Sequence, residues 1–265
     1  MSGILHRISQ HFEAAAEERR EHDASRQAYT DALHNLVQPG ADVKALAAGL
    51  PAPAGLKPGE LRSLDDQAFR TIAQGLLKDD HITQDEEDTL TAIGPALGVD
   101  SARFNHDFPD ILERLVVARA NDGRLPALAA CSIILQKGEI AHLETSAQLL
   151  KWQAVREWKG GSSGFSFRVA KGVYYRTGRT RGHIVTTGQR LAPEDTGTLT
   201  VTSKRTVFSG SQKALQFAYP KLLDVQVYTD GIRLSVSNRQ QPSTFHLTSP
   251  DAVAAVINAA AQKLS

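Results

Sequence analysis

Basic side chains concentrate in one part of this sequence: Lys159, Arg168, Lys171, Arg176, Arg179, Arg181, Arg190, Lys204 and Arg205, with Trp152 and Trp158 just before them. Guanidinium and ammonium groups gathered on one rim create a positive potential of several kT, which attracts phosphate and carboxylate groups. Each such group near an anionic bilayer contributes about 1 kcal/mol, and salt screens it. Arg176-Thr-Gly-Arg-Thr-Arg181 is the densest cluster. The candidate ligand-binding set is Lys159, Arg168, Arg176, Arg179, Arg181, Lys204 and Arg205. The alternative is that alternate strand residues simply face solvent and happen to be basic. Nucleic acid would suit the same rim, but only Tyr174 and Tyr175 offer rings there for base stacking.

Other constellations carry less chemistry. Asp79, Asp80, Asp85 and Glu86 resemble a calcium loop because Ile82 and Glu86 fall at its central and last positions, yet Gly75 and Leu77 then occupy the first and third ligand positions. Such a loop lacks the oxygens it needs, and helix capping accounts for the acids. His81, His106, His142 and His183 show no His-x-x-x-His spacing, so no metal site is expected. Cys131 lies in the apolar run from Leu125 to Leu135, where a buried, inert thiol is expected. Gly160-Gly-Ser-Ser-Gly164 has no following Gly-Lys-Ser/Thr to reach a phosphate. No catalytic residues and no cofactor are assigned.

The basic stretch stands out against a balanced chain. Of 265 residues, 30 are Lys or Arg and 29 are Asp or Glu. Residues 151–213 hold 12 of the basic residues but only Glu157, Glu194 and Asp195 among the acids, leaving 18 against 26 elsewhere. A single cysteine excludes an internal disulfide framework and suits a reducing compartment. No run approaches the roughly 18 apolar residues of a membrane span, and the N-terminus turns polar before a signal-peptide core forms. A cytoplasmic protein is expected, with peripheral contact at the inner face of the membrane as an extension.

The elements that position these residues follow from periodicity. Residues 1–50 read as a helical segment with apolar stripes Ile4, Leu5, Ile8, Phe12 and Tyr29, Ala32, Leu33, Leu36. The first stripe suits docking on the chain's own helices, a homo-oligomer or a membrane interface. Prolines at 51, 53 and 58 mark 51–62 as a linker. Residues 63–123 predict a small bundle: Ser63 with Asp66 and Thr83 with Glu86 have capping-box spacing, and a third helix runs from about Pro109 to Ala120. The domain boundary is expected at Asn121-Asp122-Gly123.

Residues 124–265 read as strands with a terminal helix. Thr198 to Thr202 alternate strictly and turn through Ser203-Lys204 into Arg205 to Phe208. Asp230-Gly231 suggests a type I′ hairpin pairing Thr229 with Ile232, Val227 with Leu234 and Val225 with Val236, and placing Tyr228 opposite Arg233. Ser249-Pro250-Asp251 opens a helix with the stripe Val253, Val256, Ile257, Ala260 and Leu264.

The run Gly197-Thr-Leu-Thr-Val-Thr-Ser-Lys-Arg-Thr-Val-Phe208, the Asp-Gly hairpin, Phe245 on a short strand and the terminal helix resemble bacterial pleckstrin-homology-like domains of the GRAM type. The likeness spans residues 137–263, including Lys137-Gly138-Glu139 at the expected first strand and Lys171-Gly172-Val173-Tyr174-Tyr175. It implies a strongly bent sheet of about seven strands capped by one helix, binding lipids or proteins without catalysis. The stretch from Lys151 to Glu194 exceeds the compact family form and should hold an extra hairpin or extended loops. Residues 75–86, with Leu97-Gly98-Val99, look like the helical signature of tellurite-resistance TerB-like domains, which implies a bacterial stress response. The expected fold is thus α+β: a helical segment and small bundle, then a bent antiparallel sheet or barrel with a C-terminal helix. The expected function is a non-catalytic adaptor that binds an anionic membrane surface or an acidic protein, with nucleic-acid binding as the alternative.

Overall fold

The computed structural model describes the backbone of residues 2–38, 40–53, 56–152, 165–170, 173–177 and 191–264, with side chains from 16 onward except 152–191. Two compact units emerge, Met1–Leu112 and Glu113–Ser265.

The first unit holds α1 (Ser2–Leu36), α2 (Val43–Ala48), α3 (Pro58–Leu76), α4 (Gln84–Ala96) and α5 (Ser101–Asp107). In α1, residues 16–28 are almost wholly exposed, and among its described side chains only Tyr29, Leu33 and Leu36 are buried. The Tyr29 hydroxyl donates to Asp65 Oδ1 at 2.5 Å, which ties α1 to α3. Burial and this bond push the tyrosine up, and burial raises the Asp65 carboxyl as well. Helix α3 starts at Pro58 rather than at Ser63, because proline suits the first helical position, where no amide is needed. The second expected cap is present: the Thr83 side chain accepts from the Glu86 amide, and Glu86 accepts from the Thr83 amide. Phe69 and Phe108 meet edge to face at 4.9 Å, with the Arg70 guanidinium 4.8 Å from the Phe108 ring. No helix among the described residues is long and apolar enough to cross a membrane.

The boundary falls inside α6 (Pro109–Asn121), earlier than the expected turn at 121–123. Its later residues Val116, Val117 and Ala120 belong to the core of the second unit. That unit contains β1 (Ala141–Trp152), β2 (Phe165–Ala170), β3 (Val173–Thr177), β4 (Leu191–Thr202), β5 (Arg205–Gly210), β6 (Ala214–Ala218), β7 (Leu222–Tyr228), β8 (Gly231–Val236), β9 (Ser243–His246) and α7 (Pro250–Gln262). The strand order is β2-β3-β7-β8-β9-β1-β4-β5-β6. Seven strands, β7 through β6 in that order, are joined by antiparallel pairings, and the β2–β3 hairpin adds to them through a parallel pairing of β3 with β7. The sheet is open, not a barrel. The hairpin lies within 151–194, where an extra one was expected.

Phe208, Phe217 and Phe245 form the centre of the core, with Phe208 and Phe217 5.3 and 5.7 Å from Phe245. Alanines at 252, 254, 255, 259, 260 and 261 are all buried, so α7 seats its small side chains closely on the sheet. Leu264 lies past the end of that helix and is 49% exposed, so it leaves the predicted stripe.

Three strand-level expectations change. The apolar run Leu125–Leu135 forms no strand, and Lys137-Gly138-Glu139 is a turn ahead of β1. The last hairpin pairs Val227 with Ile232 and Val225 with Leu234, putting Gln226, not Tyr228, opposite Arg233. Its turn residues are Thr229 and Asp230, and Gly231 begins β8 without a positive φ. Gly231 serves a different need: a Cβ there would lie 2.1 Å from the Phe245 carbonyl oxygen on β9. A two-residue shift preserves the alternation of faces, so the buried set stays apolar.

Gly231→Ala should therefore cost more than about 2 kcal/mol, because the obstacle is backbone and cannot swing away. Gly138→Ala, at φ +68° with open space around its Cβ, should cost only about 1 kcal/mol. Urea midpoints of the two variants check the contrast.

Candidate functional site

The turn between β4 and β5 carries two of the candidate basic residues, and their fates differ. Arg205 is 9% exposed. Its Nε donates to Glu139 Oε1 at 2.9 Å and its Nη2 to Oε2 at 3.2 Å, a bidentate pair in which the glutamate side chain is fully buried. Its Nη1 donates to Gln216 Oε1 on β6 at 2.8 Å, and Nη2 also reaches the Ile134 carbonyl at 3.2 Å. Glu139 further accepts from the Gln136 amide at 2.6 Å and the Thr202 hydroxyl at 2.6 Å. Arg205 is thus engaged inside the protein and is withdrawn from the exposed rim. Burial pushes the Glu139 carboxyl up, but Arg205, the Gln136 amide and the Thr202 hydroxyl outweigh it and hold the group below the usual glutamate value.

Lys204, one residue earlier, faces outward. Its Nζ donates to the Lys137 carbonyl at 2.6 Å, and Ser203 and Ile140 exchange bonds of 2.8 and 3.0 Å beside it. The β4–β5 turn and residues 134–140 therefore form one surface at one end of the sheet.

The approach to that surface is fastened by a second carboxylate. Glu144 on β1 accepts from the Ser132 amide at 2.8 Å, the Ser132 hydroxyl at 2.9 Å and the Thr200 hydroxyl at 2.9 Å. His142 Nδ1 bonds the Pro126 carbonyl at 2.6 Å, and the Leu128 amide donates to the Ala141 carbonyl at 2.8 Å. Polar groups hold this segment down; Leu125 packs against the core and Ile133 and Leu135 are half-buried, while two isoleucines turn outward. Ile134 is 92% exposed and Ile140 47%. Cys131 is partly exposed, not buried, because the run that carries it lies on the surface.

At the other end of β4, Glu194 and Asp195 are likewise satisfied. Asp195 accepts from the Thr196, Ser211, Gln212 and Lys213 amides and from the Ser211 hydroxyl, which closes the β5–β6 turn. The Ser211 bond leads; burial opposes it, the amides add to it, and the carboxyl is held at about 2. Glu194 pairs with Lys213 and Lys151. Both lysines are thereby drawn into local ion pairs.

Arg168 and Arg176 occupy β2 and β3, at the opposite edge of the strand order from β5. Lys159, Arg179 and Arg181 lie outside the described residues. Lys137, Ile134 and Ile140 escaped the sequence reading of a site; the signal available for them was an apolar run too short of alternation to be a strand. Among the described residues no group of three His, Cys, Asp or Glu side chains could hold a metal ion. A shallow pocket lined by Glu113, Tyr228, Thr229, Thr248, Pro250 and Asp251 carries two acids, the wrong charge for an anionic ligand.

Removing Glu139 leaves a buried guanidinium without its counter-ion, so Glu139→Leu should cost about 3 to 5 kcal/mol, and adding Arg205→Met should recover part of the loss. Because its folded pKa is depressed, Glu139 contributes fully above the unfolded value of about 4.3, and that contribution disappears as pH falls through its lower folded value. Urea unfolding of the single and double variants between neutral pH and pH 3 checks both expectations. No family model, curated protein or solved structure matches this chain.

Proposed function

We propose that this chain is a non-catalytic binding module whose strand-rich unit docks on anionic groups, presented by phospholipid headgroups or by an acidic protein partner. One observation carries this: where residues 134–140 meet the β4–β5 turn, Glu139 is buried on Arg205 and the exposed Glu144 is bonded to Ser132 and Thr200, whereas Lys137 and the Lys204 ammonium lie at the surface. Two lysines thus stand at this surface with the neighbouring carboxylates already bonded, although the chain as a whole is nearly neutral. Seven antiparallel strands followed by one helix, with a hairpin inserted after the first, support a pleckstrin-homology-like unit of the GRAM type. The expected role of that fold is binding, not catalysis. The long exposed stretch of α1 supports a second task for the helical unit, contact with another protein or with a second copy of this chain.

Flotation of the full chain with neutral and anionic vesicles, at low and physiological salt, tests the proposal. Binding should require anionic lipid and weaken as salt rises. Replacing Lys137 and Lys204 together by Gln should weaken it about 30-fold at low salt, from about 1 kcal/mol per lysine. Replacing Arg176, Arg179 and Arg181 tests the second basic cluster. Salt-insensitive binding, or equal binding to neutral vesicles, would overturn an electrostatic dock. Loss of binding to vesicles, with an acidic protein retained instead, would assign the surface to a protein partner.

A further inference from the structure

We infer that Ile134 is a membrane-inserting tip: the lysines flanking it bring the sheet's end to an anionic bilayer, and the isoleucine enters the boundary between headgroups and acyl chains. This rests on the lipid branch of the function proposed above and specifies its geometry.

The first observation is an inversion of ordinary burial. Leu125 to Leu135 is apolar enough to form core, yet beyond Leu125, which packs against it, the chain holds this run to β1 and β4 with Glu144, His142 and backbone bonds, leaving Leu128 exposed and Ile134 almost bare, with Ile140 exposed just after. Single exposed apolar residues are common on proteins. This one sits at a point fixed from beneath: its carbonyl accepts from the buried Arg205, and two residues later the Gln136 amide is fixed on Glu139. The tip is therefore rigid, so presenting it costs little further ordering on binding.

The second observation is its company. Lys137 lies three residues on, and Lys204 reaches the Lys137 carbonyl from the β4–β5 turn. Lysine beside a bare aliphatic side chain suits a bilayer surface, where the alkyl stem lies on apolar ground and the ammonium stays at the phosphates. Protein interfaces instead favour aromatic residues and arginine and are depleted in lysine. Of the acids at this end, the exposed Glu144 is taken up by the Ser132 amide and hydroxyl and the Thr200 hydroxyl, and Asp230, in the β7–β8 turn, lies beyond β1 and β9 in the strand order.

The test separates docking from insertion. An environment-sensitive fluorophore is placed on Ile134→Cys in a Cys131→Ser background, with Asn238→Cys, an exposed position in the β8–β9 connection, as the control. With phosphatidylcholine vesicles containing phosphatidylserine, emission from position 134 should shift to the blue and be quenched by spin labels in the acyl chains, whereas position 238 should do neither. In unlabelled protein, Ile134→Asp should weaken flotation about tenfold with its thermal midpoint unchanged, since the residue supports no packing. If the full chain floats with anionic vesicles but position 134 stays in water and Ile134→Asp binds like wild type, insertion is overturned and the electrostatic dock stands. If the full chain does not float, both fall. A solution dimer that Ile134→Asp dissolves, with no change in flotation, also overturns insertion and assigns the tip to self-association.

Discussion

The buried pair of Arg205 and Glu139 is the constraint around which the strand-rich unit is arranged at one end. Two charges removed from water are tolerated only if both are nearly saturated with hydrogen bonds. Here the carboxylate takes four donors and the guanidinium adds Gln216 and the Ile134 carbonyl. The partners come from β4, β5, β6 and the loop ahead of β1, segments far apart in sequence. Their convergence fixes where that loop lies and hence what it exposes. An apolar pair in the same place could pack as well, but it would not dictate the course of a loop, since dispersion contacts have no direction.

A more general pattern extends this. Among the described residues, four acids within and beside the basic stretch serve as fasteners: Glu139 and Glu144 hold the loop, Asp195 closes a turn, and Glu194 gathers two lysines. Each consumes negative charge in the interior or along the surface that it stitches together. The basic residues are treated unequally as a result. Arg205, the fork-shaped member, is committed inward, where bidentate geometry counts, and Lys204, the flexible point charge, remains outward.

Much of the fold was legible in the sequence because its signals were local. Thr83 and Glu86 meet within one helical turn, the Ser203-Lys204 turn joins adjacent strands, and Ser249-Pro250 opens α7 as expected. Gly231 misled because glycine has two uses: a reader sees a left-handed turn, while the structure needs room for a carbonyl on the next strand. The surface was less legible for the same reason. Nothing near Ile134 reveals that Glu144 and Arg205 will hold an apolar run outward, and nothing near Arg205 names its partner 66 residues away. Charge counting could not tell a committed arginine from a lysine at the surface.

The position of α6 has a consequence for inheritance. Ile111 is fully buried and the unit boundary follows one residue after it, at Leu112, while Val116, Val117 and Ala120 complete the core of the second unit. An exchange of genetic segments at the exposed turn Asp122-Gly123, the natural place to join one coding module to another, would strip those three side chains from the half it meant to transplant. The strand-rich unit can be moved to a new protein only with the later part of α6, so the workable junction lies within a helix and not at the turn that follows it.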